Sequence, residues 1–214
     1  MNRKVTVIGL TGSIGMGKSS VANMLETMNI PVFDSDAYVH SLSGKGGKAV
    51  PEIIAHFPEC WKPIKKQIDR QVLRELVFTK DPDPQKQYES KCNKQTLESI
   101  LHPLVHQGQN EFIKRAQRLG QGIVALDIPL LFETGSDSRV DYTIVVSAPE
   151  DLQYARVIKR PNMTEEKFFA ILNTQMPDTQ KRTHADFIIP TGCNRSRTYQ
   201  TLKRAITKIK TLTK

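Results

Sequence analysis

The feature that most constrains this chain is a glycine-rich segment close to its start. It follows an apolar, β-branched run, Val5 to Leu10, which predicts a buried strand. The segment Gly12 to Ser19 matches the pattern G-x-x-x-x-G-K-[ST], and we call it the phosphate loop. In such a loop the glycines permit a tight turn, and backbone N–H groups face bound phosphates at the start of the next helix.

The residues behind the glycines favour nucleotide binding over a flexible turn. A turn alone would account for the glycines but not for the Lys18-Ser19 pair directly after them. Lys18 would neutralise β- and γ-phosphate oxygens, and the Ser19 hydroxyl would bind Mg²⁺. The motif does not say what happens to the nucleotide, because motors, switches and small-molecule kinases all share it.

Two carboxylates, Asp34 and Asp36, follow a second predicted strand, Pro31 to Phe33. Spaced i, i+2 on an extended segment, they would project to the same side. One of them could accept or orient the proton of an acceptor hydroxyl while the γ-phosphoryl group leaves ATP. The alternative is that Asp36 or Ser35 caps a helix that begins at Ala37.

Residues 37–121 contain no predicted strand, and helices are predicted near 47–57, 69–79 and 87–119. This length exceeds that of a single crossover helix between two strands. The pattern therefore predicts an inserted helical subdomain.

Apolar strands are predicted again over 123–127, 140–148 and 186–191. The first ends in Asp127, and a carboxylate at the end of such a strand is how enzymes with this loop hold Mg²⁺. Asp127 is therefore a candidate metal ligand, and Glu133 lies further into the following loop. Either carboxylate could instead cap a turn or helix.

Two arginines, Arg156 and Arg160, are spaced i, i+4 at the end of a predicted helix. They could close over ATP and stabilise charge on the transferring phosphoryl group. Alternatively, they are surface residues that the helix dipole favours. The joint at 160–163 precedes a helix that begins at Thr164, as a mobile lid would require.

Composition limits the partners of the chain. Its 214 residues suit one α/β domain with one or two small insertions. The net charge of +9 would attract nucleic acid or a phosphate-rich small substrate. Because aromatic residues are only 7% and no RNA-binding motif is visible, nucleic acid is not favoured. No apolar run approaches the ~18 residues of a membrane span.

The three cysteines, Cys60, Cys92 and Cys193, are widely spaced and odd in number. They form neither a disulfide pattern nor a metal-binding pattern. The chain also enters a strand almost at once, which argues against a cleaved secretory signal. These observations predict a reducing, cytoplasmic location.

Short motifs continue along nearly the whole chain. The most specific are Ile100-Leu101-His102-Pro103 and Pro129-Leu130-Leu131-Phe132-Glu133. The others are Gly9 to Gly15 with Gly17-Lys18-Ser19, Asp34-Ser35-Asp36, Ile68-Asp69-Arg70 with Leu73-Arg74 and Val77-Phe78, Leu97-Glu98, Gln153 with Arg156-Val157 and Arg160, Gln175-Met176-Pro177 with Lys181-Arg182, and Ala185-Asp186. In this ordered set the chain resembles the dephospho-coenzyme A kinase family of P-loop small-molecule kinases.

The resemblance implies an α/β fold of the P-loop NTPase type, similar to nucleoside monophosphate kinases. A five-stranded parallel sheet flanked by helices would carry a helical substrate-binding insertion and a lid. The implied segments are core at 1–36, a coenzyme A-binding insertion at 37–121, core at 122–158, a lid at 159–182, and core with the C-terminal helix at 183–214.

The resemblance also implies an activity, ATP-dependent phosphorylation of the 3′-hydroxyl of dephospho-coenzyme A, the last step of coenzyme A synthesis. Expected partners are ATP, Mg²⁺ and dephospho-coenzyme A, with neither nucleic acid nor membrane, in a monomer or small homo-oligomer. The catalytic set would be Lys18, Asp36, Arg156 and Arg160; the ATP site Gly12, Ser13, Ile14, Gly15, Met16, Gly17, Lys18, Ser19 and Ser20; the substrate site Asp34, Asp36, Arg70 and His102; and the metal site Ser19 and Asp127.

Some residues depart from the family pattern. Met16 stands where a small serine is usual, His40 where arginine is frequent, and Thr191 where asparagine is common. His102 precedes a proline, so a local packing role is an alternative to substrate contact.

Two other functions remain as alternatives. One is another small-molecule kinase, for nucleosides or shikimate, against which the specific motif set argues. The other is a nucleotide-dependent switch or a nucleic-acid ATPase. A GTPase should contain an Asn-Lys-x-Asp motif, and the sequence contains none.

Overall fold

The computed structural model describes residues 5–79 and 81–213. The predicted segments 1–36 and 183–214 reach beyond these residues, and that part of the prediction lies outside the described residues. The chain forms two compact units. The first comprises the described residues of Met1–Asp34 and Ile113–Lys214, and the second comprises those of Ser35–Phe112.

Seven strands and nine α-helices lie in the described residues. The strands are β1 (Thr6–Thr11), β2 (Val32–Asp34), β3 (Trp61–Lys62), β4 (Gln67–Ile68), β5 (Ile123–Asp127), β6 (Tyr142–Ser147) and β7 (Phe187–Pro190). The α-helices are α1 (Lys18–Thr27), α2 (Ser35–Leu42), α3 (Val50–His56), α4 (Arg70–Val77), α5 (Pro84–Arg118), α6 (Glu150–Ile158), α7 (Glu165–Leu172), α8 (Asp178–His184) and α9 (Arg195–Leu212).

The first unit is built on a five-stranded sheet with the order β2-β5-β1-β6-β7. All neighbouring strands pair in parallel. Every residue of β1 and β5 is buried, as their continuous apolar sequences require for central strands of a parallel sheet. The predicted fold class, an α/β fold with a five-stranded parallel sheet, is therefore confirmed.

Helices α1 and α9 cover this sheet with their apolar faces. Leu25 of α1 and Leu202 and Ile209 of α9 are fully buried against Ile8 and Ile144 of the central strands. Burial of each such side chain stabilises the fold by roughly 1.5–3 kcal/mol before entropy is counted. This packing fixes the sheet that positions the phosphate loop.

Strand register brings several predicted site residues to one edge of the sheet. Leu10 of β1 and Asp34 of β2 are both register partners of Asp127 in β5. In open parallel sheets, ligands bind outside the carboxyl ends of the strands. The loops that follow β1 and β5 in the first unit therefore begin where a ligand is expected.

The second unit has a hydrophobic core of its own. Leu42, Ile53, Phe57, Cys60 and Leu73 are buried in it and come from α2, α3, α4 and the turn between α3 and β3. Burial raises the pKa of the Cys60 thiol to about 11, so the thiol stays protonated.

The expectation that no strand lies between Phe33 and Ile123 is wrong. Strands β3 and β4 form an antiparallel hairpin in which Trp61 pairs with Ile68. Each strand has only two residues, too few to show an alternating pattern. The turn also lacks a glycine signal, because Lys66 adopts the left-handed conformation at φ +48°.

The expectation that Asp34 and Asp36 share one extended segment is also wrong. Asp34 ends β2, whereas Asp36 lies in the first turn of α2. The helix begins at Ser35 rather than Ala37, so Asp36 is inside the helix and does not cap it. Ser35 is buried, and Gln109 Nε2 of α5 donates to its Oγ at 3.3 Å. The sequence could not reveal this contact between two distant residues.

Helix α8 was not predicted from the sequence, because its seven residues are polar and show no apolar period. The helix predicted from Thr164 to about Gln175 is shorter in the structure, since α7 ends at Leu172. Among the residues that the structure describes, no helix is both long and apolar enough to cross a bilayer.

Candidate active site

The phosphate loop takes a backbone path that requires its glycines. Gly15 and Gly17 have φ values of +79° and +89°, in the left-handed region that other residues avoid. A Cβ on Gly15 would lie 2.5 Å from Val157 Cγ2, and one on Gly12 would lie 2.7 Å from the Val146 carbonyl oxygen. The glycine spacing of the motif thus reflects both backbone conformation and close packing.

The start of α1 is suited to an anion. Gly17 is the N-cap residue, no side chain caps this end, and the first turn contains no acidic residue. The N-terminal N–H groups of a helix carry a partial positive charge and bind phosphates where no side chain occupies them. Ser19 and Ser20 are exposed in this first turn.

Lys18 and Asp127 form an ion pair at the carboxyl ends of β1 and β5. Their side chains are 18% and 7% exposed, so the pair is largely shielded from solvent. The structure therefore brings together the lysine predicted to bind phosphates and the carboxylate predicted to bind the metal.

The oxygen donors nearby are of the kind that Mg²⁺ prefers, namely the Asp127 carboxylate and the Ser19 hydroxyl. In residues 5–79 and 81–213, no group of three or more His, Cys, Asp or Glu side chains could hold a metal. This donor set fits Mg²⁺, which commonly takes only one or two protein ligands and completes its shell with water and phosphate oxygens.

Arg156 of α6 contacts the phosphate loop directly. Its Nη1 donates to the Gly15 carbonyl oxygen at 3.3 Å and to Thr191 Oγ1 at 3.2 Å. Its Nη2 donates to the Thr191 carbonyl oxygen at 2.7 Å. Arg160, by contrast, is exposed beyond the end of α6. The structure thus places one of the two predicted arginines at the loop.

Two residues that depart from the family pattern contact each other. Thr191 Oγ1 donates to the Met16 carbonyl oxygen at 2.6 Å. The Met16 side chain is only 1% exposed, and its Sδ accepts a hydrogen bond from the Ala148 N–H at 3.1 Å. The Met16 side chain therefore packs in the core, and Thr191 holds the loop through the Met16 carbonyl oxygen.

Asp34 is exposed at the end of β2 in the first unit, and the other three predicted site residues belong to the second unit. Asp36 is exposed in the first turn of α2. Arg70 begins α4, and its Nη2 donates to the His40 carbonyl oxygen at 2.7 Å. His102 is exposed on α5, and its ring stacks on that of His106 with centroids 6.3 Å apart.

A buried ion pair was not predicted from the sequence. Lys181 of α8 is 0% exposed, and its Nζ lies 2.9 Å from Glu133 Oε1. The same carboxylate oxygen accepts a hydrogen bond from the Met176 N–H at 2.8 Å. Glu133 therefore fastens the loop after β5 to the segment before α8. Both residues belong to the motif set, Glu133 in Pro129-Leu130-Leu131-Phe132-Glu133 and Lys181 in Lys181-Arg182, but nothing in these motifs shows that the two side chains pair.

Helices α6 and α7 are joined at a short connection. The Thr164 side chain accepts a hydrogen bond from the Lys167 N–H at 3.3 Å and so caps α7. Tyr154 of α6 donates to Glu165, and this hydrogen bond raises the pKa of the tyrosine. Asn162 has a left-handed backbone at φ +59° in the connection.

A cavity of about 1070 Å³ adjoins the phosphate loop within the first unit. Its wall includes Ser13 and Met16 of the loop, Phe168 and Leu172 of α7, and Cys193 after β7. Mostly apolar clefts of this size are typical of small-molecule sites.

Comparison with known proteins gives consistent matches. A family model for dephospho-CoA kinase matches residues 6–196. The dephospho-CoA kinase of Novosphingobium aromaticivorans is 46% identical over 186 residues, 87% of this chain and 86% of that protein.

Solved structures share the fold. TT1252 from Thermus thermophilus superposes with a TM-score of 0.78 at 30% identity, covering 96% of this chain and 98% of that one. The dephospho-CoA kinase from Campylobacter jejuni superposes with a TM-score of 0.62 at 22% identity, again over 96% and 98% of the two chains. At that identity the second similarity shows the fold alone.

Proposed function

The chain belongs to the dephospho-CoA kinase family, and from this membership we propose that it transfers the γ-phosphoryl group of ATP to the 3′-hydroxyl of dephospho-coenzyme A. The products are coenzyme A and ADP, which makes this the last step of coenzyme A synthesis. The observation that carries the proposal is the family match over residues 6–196, which includes the phosphate loop, Arg156 and Arg160.

In this proposal the first unit binds and activates ATP. The N–H groups of Gly15 to Ser20 bind the phosphates, and the Lys18 ammonium neutralises β- and γ-phosphate oxygens. The ion pair with Asp127 supports this role, because it holds Lys18 at the carboxyl end of β5. Arg156 and Arg160 stabilise the charge that spreads over the transferring phosphoryl group.

Mg²⁺ is part of the proposal as the metal bound with ATP. When bound, it neutralises charge on the phosphate oxygens. Ser19 and Asp127 would hold it through their hydroxyl and carboxylate oxygens.

We assign binding of the acceptor, dephospho-coenzyme A, to the last residue of β2 and to residues of the second unit. Asp36 orients the 3′-hydroxyl and accepts its proton, and Asp34 supports it. Arg70 and His102 bind dephospho-coenzyme A. The compact second unit, Ser35–Phe112, supports a substrate-binding insertion at 37–121. The lid at 159–182 and the surrounding core segments complete the proposed organisation.

We also propose a cellular location and an oligomeric state. The three cysteines are free, which supports a reducing, cytoplasmic location. The enzyme works as a monomer or small homo-oligomer.

The test is a coupled ADP-release assay with Mg·ATP and four acceptors in parallel: dephospho-coenzyme A, adenosine, AMP and shikimate. We expect acceptor-dependent ADP release with dephospho-coenzyme A alone. The Lys18→Ala variant, prepared in the same way, controls for contaminating kinases. Turnover with another acceptor only would favour a different small-molecule kinase. No acceptor-dependent turnover from folded, ATP-binding protein would overturn the kinase proposal and favour a switch or ATPase.

A further inference from the structure

One residue of the phosphate loop, Ile14, is bound on both sides of its backbone by glutamine side chains. Its N–H donates to Gln175 Oε1 at 2.9 Å. Its carbonyl oxygen accepts a hydrogen bond from Gln153 Nε2 at 2.7 Å. Both glutamines therefore act on the backbone rather than on the apolar side chain, so they constrain the path of the loop itself.

The backbone fixes which end of each amide faces Ile14. An N–H group can only donate, so Gln175 must present its oxygen. A carbonyl oxygen can only accept, so Gln153 must present its nitrogen. The two glutamines thus have opposite and non-interchangeable roles at one residue.

The two glutamines come from either end of one segment. Gln153 is 4% exposed within α6, and Gln175 lies between α7 and α8. The segment between them carries Arg156 and Arg160 and most of the predicted lid. Both ends of this segment are therefore tied to the same residue of the phosphate loop.

Other contacts reinforce both attachments. Beside Gln153, α6 packs so closely on the loop that a Cβ on Gly15 would lie 2.9 Å from the Gln153 carbonyl oxygen. Beside Gln175, the Met176 N–H donates to Glu133, which is paired with Lys181. Gln175 is thus held between the phosphate loop and the loop that follows β5.

We propose that Gln153 and Gln175 are positioning residues that fix the phosphate loop at Ile14 and tie to it the segment that carries Arg160. The inference rests on the proposed function for its catalytic meaning, but not for its effect on nucleotide binding. Donors that are aligned before the ligand arrives need no rearrangement on binding, so loss of either hydrogen bond should weaken nucleotide binding.

The test is one isosteric substitution at two positions, Gln153→Glu and Gln175→Glu. The measurement is made at about pH 9, because burial raises the pKa of a carboxyl, so that both variants carry a carboxylate next to Ile14. At residue 175 the carboxylate still accepts from the Ile14 N–H. At residue 153 it faces the Ile14 carbonyl oxygen with no proton to donate. Both substitutions add the same charge. A difference in Kd between the two variants therefore shows whether the side chain must donate or accept the hydrogen bond at each position.

The readout is the Kd for Mg·ADP by isothermal titration calorimetry, with thermal unfolding as a check of the fold. We expect Gln153→Glu to raise Kd about tenfold relative to Gln175→Glu. Gln175→Ala, which lacks the acceptor, should also raise Kd about tenfold over the wild type. It provides a second test if Gln153→Glu does not fold.

Equal Kd values for the two glutamate variants, or wild-type affinity in Gln175→Ala, would overturn the inference. Mg·ADP binding needs no acceptor. Wild-type protein that binds Mg·ADP but does not phosphorylate dephospho-coenzyme A would therefore refute the proposed function and leave this test valid.

Discussion

Gly15 shows how strongly a single position in the phosphate loop is constrained. Its φ of +79° disfavours any side chain, and a Cβ would also collide with Val157 of α6. Gly120, in the turn after α5, has a similar φ of +72°, but a Cβ there would meet nothing within 4 Å. A comparison of substitutions at Gly15 and Gly120 therefore separates the energetic cost of backbone strain from that of close packing.

We predict that Gly15→Ala destabilises the chain more than Gly120→Ala. Both variants lose about 1–2 kcal/mol because alanine must adopt a left-handed backbone. Gly15→Ala should lose about 1–3 kcal/mol more from overpacking against α6. Urea unfolding of both variants measures the difference. Equal losses would show that α6 does not press on the loop as described.

Lys18 is expected to be essential for turnover. Lys18→Ala removes the cation that would neutralise the γ-phosphate, and we predict a fall in kcat of about 100- to 1000-fold. The same change leaves the Asp127 carboxylate, only 7% exposed, without this cation. A thermal unfolding scan is therefore the control that separates lost chemistry from lost stability. Turnover within tenfold of the wild type would contradict the assignment.

A substitution at Asp36 tests its proposed role in accepting the proton of the 3′-hydroxyl. Asp36→Asn keeps the shape but cannot accept the hydroxyl proton, and we predict a fall in kcat of about 100- to 1000-fold at unchanged stability. Asp34→Asn is the matched control, since Asp34 has only a supporting role and should lose less. If Asp36→Asn keeps near-normal turnover, Asp36 serves only the start of α2.

At the scale of elements, the start of α4 depends on one carboxylate. Asp69 accepts hydrogen bonds from the Gln71 and Val72 N–H groups at 3.0 and 3.5 Å, and it pairs with Lys62 of β3. The hydrogen bond from Lys62 is the main cause of the lowered pKa of this carboxyl. Asp69 thus joins the hairpin to α4.

This lowered pKa predicts a pH dependence. A carboxyl whose pKa is lower in the folded than in the unfolded state stabilises the fold above its ordinary pKa of 3.8, and this stabilisation is lost as the pH falls below that value. Asp69→Asn keeps an acceptor for the cap but loses the charge. We therefore expect the wild type to be more stable than Asp69→Asn at about pH 7, and this advantage to be smaller at about pH 3, below the ordinary pKa of the carboxyl.

Urea unfolding followed by fluorescence measures this effect. The chain has a single tryptophan, Trp61, which lies in β3 beside Lys62 and reports on this part of the second unit. A stability difference of the same size at both pH values would contradict the assigned cause.

The elements also show where sequence patterns suffice. The central strands were predicted because each is a continuous apolar run. Strands β3 and β4 were missed because two residues carry no period. Helix α8 was missed because its buried residue is Lys181, whose partner Glu133 lies far away in sequence. Contacts of this kind are set by tertiary structure.

For the whole molecule, the sequence predicted the five-stranded parallel sheet, and the family matches confirm the resemblance inferred from the motifs. Motif spacing identified Lys18, and the end of an apolar strand identified Asp127. The start of α1 and the end of β5 bring these two residues together. Motif spacing did not predict the two glutamines at Ile14, because a polar side chain gives no sign of which distant backbone group it will bind. The roles of all the predicted site residues stay predictions.

The most direct test of the central claim is the identity of the product formed from dephospho-coenzyme A and Mg·ATP. Mass spectrometry would count the phosphates added, and phosphorus NMR would locate the new phosphomonoester. We predict one added phosphate, on the ribose 3′-oxygen, formed by the wild type and not by Lys18→Ala. A phosphate at another position, or ADP release without a phosphorylated acceptor, would contradict the assignment of this chain as a dephospho-coenzyme A kinase.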